Sequence, residues 1–177
     1  NLIQTAKANE QIDLAMFYLS ERKIIKSLIA AHDRGVKVRV LLDPNKDAFG
    51  REKNGIPNRQ VAWELHQAGI PVRWCNTQGE QCHSKMIIKR NTQQAEMILG
   101  SANFTARNLK NYNLETDLRV VGSSQASVFV DAQRYFNSSW SNQNGQKASL
   151  DYAAYQDDSR WKYWLYRFME WSGWSTF

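Results

Sequence analysis

The sequence predicts an α/β fold with a mixed, mostly parallel β-sheet flanked by helices. Three observations carry this. Short β-branched runs alternate with stretches of helical apolar spacing, the first alternation has the length of a strand–helix–strand unit, and Gly35, Gly69 and Gly122 fall at the junctions.

Residues 12–19 form an apolar run of strand length, and Ser20 is the expected N-cap of a helix over 21–34. Ile24, Ile25, Leu28 and Ala31 share one face of that helix, and Gly35 suits its C-terminal cap. Residues 36–42 are rich in β-branched side chains and end at Asp43-Pro44, which stops a strand. Two parallel strands joined by a helix imply that the helix crosses the sheet. The segment 45–58, with Gly50, Gly55 and Pro57, reads as a long irregular loop of the kind that often carries function. A helix over 59–68 follows, with Val61, Ala62 and Leu65 on one side, and then a short strand over 71–75 and a polar loop over 76–81. Residues 82–89 and 95–99 read as a hairpin across the turn 91–94, residues 115–121 as a further strand, and 124–136 as a helix. No internal repeat is evident.

The last residues differ in character. The expected division is a catalytic unit over 1–145 and a C-terminal linker and aromatic tail over 146–177, with a polar stretch at 138–146. Trp161, Trp164, Leu165 and Phe168 recur at helical spacing, with Arg160, Lys162 and Arg167 nearby. This stripe is read as packing against its own domain or a missing one. The sharper alternative is contact with a membrane surface.

Lys and Arg number 23 against 17 Asp and Glu, giving a net charge of +6, but no basic run stands out. That is a mild bias toward anionic partners and falls short of a nucleic-acid signature. There is no apolar stretch near the roughly 18 residues of a spanning helix and no segment resembling a signal peptide. The chain, which lacks an initiator Met, reads as a soluble or membrane-peripheral piece of a longer protein, with its compartment open. Cys75 and Cys82 are read as free thiols in preference to a local bridge. No CxxC motif or Cys/His cluster offers a zinc site, so no metal or cofactor is expected.

The informative stretch is His83-Ser84-Lys85, followed by Gly100-Ser101-Ala102-Asn103. In a strand, alternate side chains share a face, so His83 and Lys85 project together. An imidazole beside an ammonium suits an anion, with the His free to attack phosphorus or protonate a leaving oxygen. Alone, that spacing is weak. Gly100 permits close backbone approach, while Ser101 and Asn103 supply a hydroxyl and an amide for phosphate oxygens; the plain alternative is an ordinary turn.

In this order and spacing these residues resemble the HKD motif of the phospholipase D superfamily: H-x-K, four residues, D, then G-S-x-N. His83, Lys85, Gly100, Ser101 and Asn103 match, as does their setting of Arg34-Gly35-Val36, Leu42-Asp43-Pro44-Asn45 and Asn111-Tyr112-Asn113-Leu114-Glu115. The likeness spans about residues 10 to 140. Arg90 stands where the motif has Asp. In the family that Asp is structural support away from the phosphate, so its loss touches the pattern more than the chemistry.

The resemblance implies a phospholipase D-like half domain catalysing metal-free phosphoryl transfer through a phosphohistidine. Glu115 is expected to hold His83 by its other ring nitrogen, with Asp117 as the fallback, although Glu115 could instead be a solvent-facing strand residue. The mechanism needs two H-x-K motifs and the chain has one, since His32 and His66 lack a Lys two residues on. The implied partner is a second half, from the same parent chain or a homodimer mate. For a C-terminal half, His83 would be the general acid. The expected substrate is a phosphodiester: phospholipid is favoured by the aromatic tail and the 76–81 loop, which holds no basic residue, and nucleic acid is the alternative through Lys46, Arg51, Lys53 and Arg59. The rival from another class is a non-catalytic phosphate-binding module.

Overall fold

The computed structural model describes residues 2–48, 51–52, 54–110, 112–142, 145 and 147–172. The elements run β1 (Gln11–Met16), α1 (Arg22–Asp33), β2 (Lys37–Leu42), β3 (Asp47–Ala48), β4 (Arg51–Glu52), α2 (Asn58–Gln67), β5 (Val72–Cys75), β6 (Lys85–Arg90), β7 (Gln94–Gly100), α3 (Ala106–Leu109), β8 (Asp117–Ser123), α4 (Ser127–Ser141), β9 (Ser149–Asp151) and α5 (Arg160–Ser172). Seven strands form one sheet in the order β8-β7-β6-β1-β2-β5-β9, and β3 and β4 form a separate small hairpin inside the expected loop. Gly50 and Lys53 of that loop lie outside the described residues.

The sheet is mixed and flanked by helices, as expected, but its balance corrects the expectation of mostly parallel pairing. β1 runs parallel to β2 and β2 to β5, whereas the β1–β6, β6–β7, β7–β8 and β5–β9 pairings are antiparallel. The parallel core needs a helical crossover on each connection, and only the first part of the chain provides them. The β6–β7 turn is closed by Asn91, whose side chain accepts the backbone N–H groups of Gln93 and Gln94.

Strand alternation divides the core into two layers. Leu14 and Met16 of β1, with Val40 and Leu42 of β2, pack against Ile25 and Leu28 of α1 and Val61 and Leu65 of α2. Ala15 and Leu41 point the other way, toward Met86, Ile88, Phe129 and Phe136 under α4. The N-cap of α1 is Glu21, not Ser20: Glu21 accepts the Lys23 N–H, while the Ser20 hydroxyl donates to Glu170, 2.5 Å away. Gly35 then ends the helix with φ +88°, a left-handed value that a Cβ disfavours.

Past residue 145, β9 adds an edge strand beside β5, and Trp74 Nε1 donates to Tyr152 O at 2.8 Å. Helix α5 rests on α2 through the fully buried Tyr166, whose hydroxyl accepts from Arg22 at 3.2 Å. Arg22 also forks onto Glu64 with two contacts of 2.6 Å.

Two features fix the edge where β1 and β2 end. Asn58, buried at the start of α2, accepts the Leu19 N–H at 2.9 Å and donates to Phe17 O at 2.7 Å and Asp43 O at 2.8 Å. Cys75 and Cys82 form a disulfide, correcting the free-thiol reading: the end of β5 and the approach to β6 run side by side, with the two Cα atoms 6.1 Å apart.

Removing the Asn58 side chain takes the partner from the buried Leu19 N–H and Asp43 carbonyl and leaves Phe17 O only its 3.3 Å bond from Asn45, so Asn58→Ala should cost about 2–4 kcal/mol in urea unfolding. A loss within experimental error would remove Asn58 from this role. Thiol titration of the denatured, unreduced chain should find no free cysteine.

Candidate active site

His83 lies just ahead of β6, in extended chain outside the ladder, where a strand from residue 82 had been expected. Its position is set by three neighbours. The preceding Cys82 is tied to β5 by the disulfide, and its N–H donates to the buried Asp43 carboxylate at 2.8 Å. The imidazole leans on the Phe17 ring, centroids 4.8 Å apart. Ser84 turns away and shares a hydrogen bond with the Tyr135 hydroxyl of α4 at 2.5 Å.

Lys85 opens β6 and is 8% exposed, so its ammonium folds back instead of reaching into solvent. Its Nζ sits 3.1 Å from His83 Nδ1, 3.2 Å from Nε2 and 3.1 Å from His83 O, and 5.3 Å from the centre of the Phe17 ring. A neutral imidazole has one lone pair to offer, so one of the two nitrogens accepts from the ammonium and the other carries the ring proton, which it can donate. Burial and the adjacent ammonium both hold the His83 pKa below its ordinary 6.5. Burial lowers Lys85 as well, opposed by the negative charge of Glu115. The pair therefore presents a neutral imidazole beside a desolvated cation, which an arriving phosphate would stabilise.

The second cluster is a tight turn after β7. A Cβ on Gly100 would stand 2.3 Å from both Asp117 Oδ1 and Thr116 O, so only glycine fits. Ser101 donates its hydroxyl to Glu115 and accepts the Thr116 N–H at 2.9 Å. Asn103 accepts the Tyr18 N–H at 3.2 Å, which leaves its amide nitrogen to serve a ligand.

Glu115 does not touch His83. Its carboxylate accepts from Ser101 on one oxygen and from Asn108 on the other, so it braces the turn and acts on Lys85 through its charge. Asp117 does not replace it at His83, since its Oδ1 accepts the Ala102 N–H at 3.2 Å. Both belong to the chain leading into or opening β8, and that strand is separated from β1 by β6 and β7.

Three contributors went unrecognised in the sequence: Phe17, Asp43 and Asn58. Asp43 was legible as a strand terminator and as part of the Leu42-Asp43-Pro44-Asn45 setting of the motif, but its contact with Cys82 spans 39 residues. Arg90 donates to Gln11 Oε1 at 2.9 Å, and Gln11 in turn donates to Asp13, the buried partner of Arg39. Arg90 sits at the opposite end of β6 from Lys85, about 16 Å away by strand rise, so the missing motif Asp leaves the pair intact.

The site is open. His83 is exposed, and the cavities of about 400 Å³ between α2 and α5 and about 480 Å³ between α3 and α5 are not lined by the pair. No group of three or more His, Cys, Asp or Glu among the described residues could hold a metal ion.

The family described as "Cardiolipin synthase, PLD-like domain" matches residues 1–140. A curated phospholipase D of Rickettsia prowazekii is 35% identical over 126 residues, covering 68% of this chain and 55% of that protein. The human mitochondrial cardiolipin hydrolase is 27% identical over 124 residues, covering 70% of this chain and 44% of that protein. The chain thus spans about half the length of the curated relatives it matches. Among solved structures, Nuc of Salmonella typhimurium, a phospholipase D family member, superposes with a TM-score of 0.63 at 22% identity, covering 88% of this chain and 87% of that one. Phosphatidylserine synthase of Haemophilus influenzae gives 0.60 at 11% identity over 95% of this chain and 40% of that one; these two likenesses are of fold alone. With the family matched over most of its length and a relative above 30% identity, the chain belongs to the phospholipase D-like domain family.

Proposed function

We propose that the chain is one half of a phospholipid-cleaving phosphodiesterase that works through a phosphohistidine, with His83 as one of two imidazoles. The observation that carries this reading is the buried Lys85 ammonium, 3.1 Å from an imidazole nitrogen of His83 at an open surface. In the first step a His attacks phosphorus, forming a P–N bond and breaking the P–O bond to the alcohol, which takes a proton from the other His. In the second, that His removes a proton from water or an acceptor alcohol, which displaces the phosphohistidine. Lys85 and the Asn103 amide hold the phosphoryl oxygens, and Ser101 joins them when its hydroxyl proton turns from Glu115 to the arriving phosphate.

Where His83 serves as the acid of the first step, it must gain a proton that its lowered pKa disfavours in the free half. The negative charge of the bound diester supplies the reason: it offsets Lys85 and draws the imidazole pKa back up. The second imidazole would come from another H-x-K half, in the same parent chain or in a homodimer mate, and would close the open side of the site.

Phospholipid is preferred over nucleic acid for two reasons. The curated relatives are a phospholipase D and a cardiolipin hydrolase. Of the loop cations, Arg59 is occupied within the fold, donating to Pro44 O at 3.0 Å and lying over the Tyr155 ring at 5.1 Å. Lys53 lies outside the described residues, as does the Arg51 side chain.

Hydrolysis of a bis-aryl phosphodiester should fall at least about 10³-fold in His83→Ala. Unchanged turnover would sink the assignment, and a rise in specific activity with protein concentration would identify the homodimer. By NMR, the His83 imidazole of the free chain should titrate below 6.5, its ordinary value. In Lys85→Met the midpoint should move upward, because a like charge is gone; a downward move would contradict the electrostatics given above.

A further inference from the structure

The outward side of α5 is built of residues that avoid water. Trp161, Trp164, Phe168 and Trp171 are 65%, 69%, 52% and 83% exposed, with Leu165 beside them. Three of the four charged residues of the same helix are engaged with protein groups: Lys162 pairs with Asp157 at 2.7 Å, Glu170 accepts from Ser20 at 2.5 Å, and Arg167 donates to the Tyr163 hydroxyl at 3.2 Å. A surface helix ordinarily hides its apolar stripe and shows its charges. Here the domain is served by Tyr163, Tyr166 and Met169, and a second apolar side is left over.

The chemistry of that side points to what covers it. Its rings are chiefly tryptophan, which prefers the polar–apolar boundary of a bilayer to its interior. No acidic residue stands at positions 161, 164, 165, 168 or 171, and Arg160 is exposed at one end of the row. At the other end Trp171 lines a cleft with Arg107, Lys110 and Tyr112, on and after α3. Helix α3 follows directly on the Gly100–Asn103 turn, and its Asn108 donates to Glu115, so the aromatic row runs up to the candidate active site. Exposed Arg107 and Lys110 at the α3 end, on a chain of net charge +6, complement an anionic surface, while at the other end Arg160 stands beside the exposed Asp158.

We propose that the outward face of α5 is a docking surface for an anionic phospholipid bilayer, with the Trp161, Trp164, Phe168 and Trp171 rings seated among the headgroups. The inference deepens the reading of the substrate as phospholipid and rests on it for its purpose. No described helix is long and apolar enough to cross a membrane, so the contact is one of lying on the surface.

The test uses the 177-residue chain and a W161A/W164A/F168A variant, with phosphatidylcholine vesicles with and without cardiolipin, sedimentation as readout, and a water-soluble bis-aryl diester assayed in parallel. The native chain should bind the cardiolipin-containing vesicles more strongly than neutral ones, with a blue shift in tryptophan emission. The variant should bind at least about tenfold more weakly, with unchanged thermal unfolding and unchanged soluble-diester hydrolysis. Absence of vesicle binding by the native chain overturns the proposal, as does undiminished binding by the variant. Loss of a concentration-dependent dimer in the variant, without vesicle binding by either protein, would assign the face to a second copy instead. Ring-dependent vesicle binding by a chain that cleaves neither diester would leave this inference standing while removing the catalytic reading.

Discussion

Asp43 and Asn58 hold together the chain segments that meet beneath the His83–Lys85 pair. Asp43, 2% exposed, accepts the backbone of Asn45 and of Cys82; Asn58, fully buried, bonds the backbone on either side of Tyr18 and reaches Asp43 O. Tyr18 in turn offers its N–H to Asn103 and its carbonyl to the Phe104 N–H. Buried polar groups of this kind are costly unless paired, and here every bond that pairs them also fixes a piece of the site. The cross-links carry the constraint outward to the Gly100–Asn103 turn, so His83, Lys85 and Asn103 owe their spacing to one polar node at the ends of β1 and β2.

On that support the site trades solvation for reactivity. Lys85 is drawn under the surface against Phe17, and its charge depresses the neighbouring imidazole. Glu115 holds the opposite side, bracing Ser101 while keeping some negative charge near the ammonium. The Cys75–Cys82 bridge removes freedom from the residue immediately before His83.

The C-terminal residues bind the same molecule in two senses. β9 and Tyr166 lock them onto β5 and α2, while the tryptophans of α5 face away. Helical spacing alone identified Trp161, Trp164, Leu165 and Phe168 as a stripe, and spacing is silent on which side the domain will take. Tyr163, Tyr166 and Met169 offered a second apolar side, and shape together with the Arg22 and Ser20 partners decided between them.

Much of the architecture was readable from the chain because local chemistry specified it. Periodicity marked α1, α2 and α4, an apolar run marked β1 and a β-branched run β2, and the motif spacing singled out His83, Lys85, Gly100, Ser101 and Asn103. What escaped depended on partners distant in sequence. The β1–β6 and β5–β9 antiparallel pairings and the contact of Lys85 with the Phe17 ring join segments whose proximity no local pattern encodes. The same holds for Glu115, which strand order keeps from His83 and gives to Ser101 and Asn108. The sequence by itself determined which groups could do phosphoryl chemistry, because side-chain type and spacing are local properties. Only the tertiary structure decided which of them meet, because burial and hydrogen-bond geometry are properties of the packed whole.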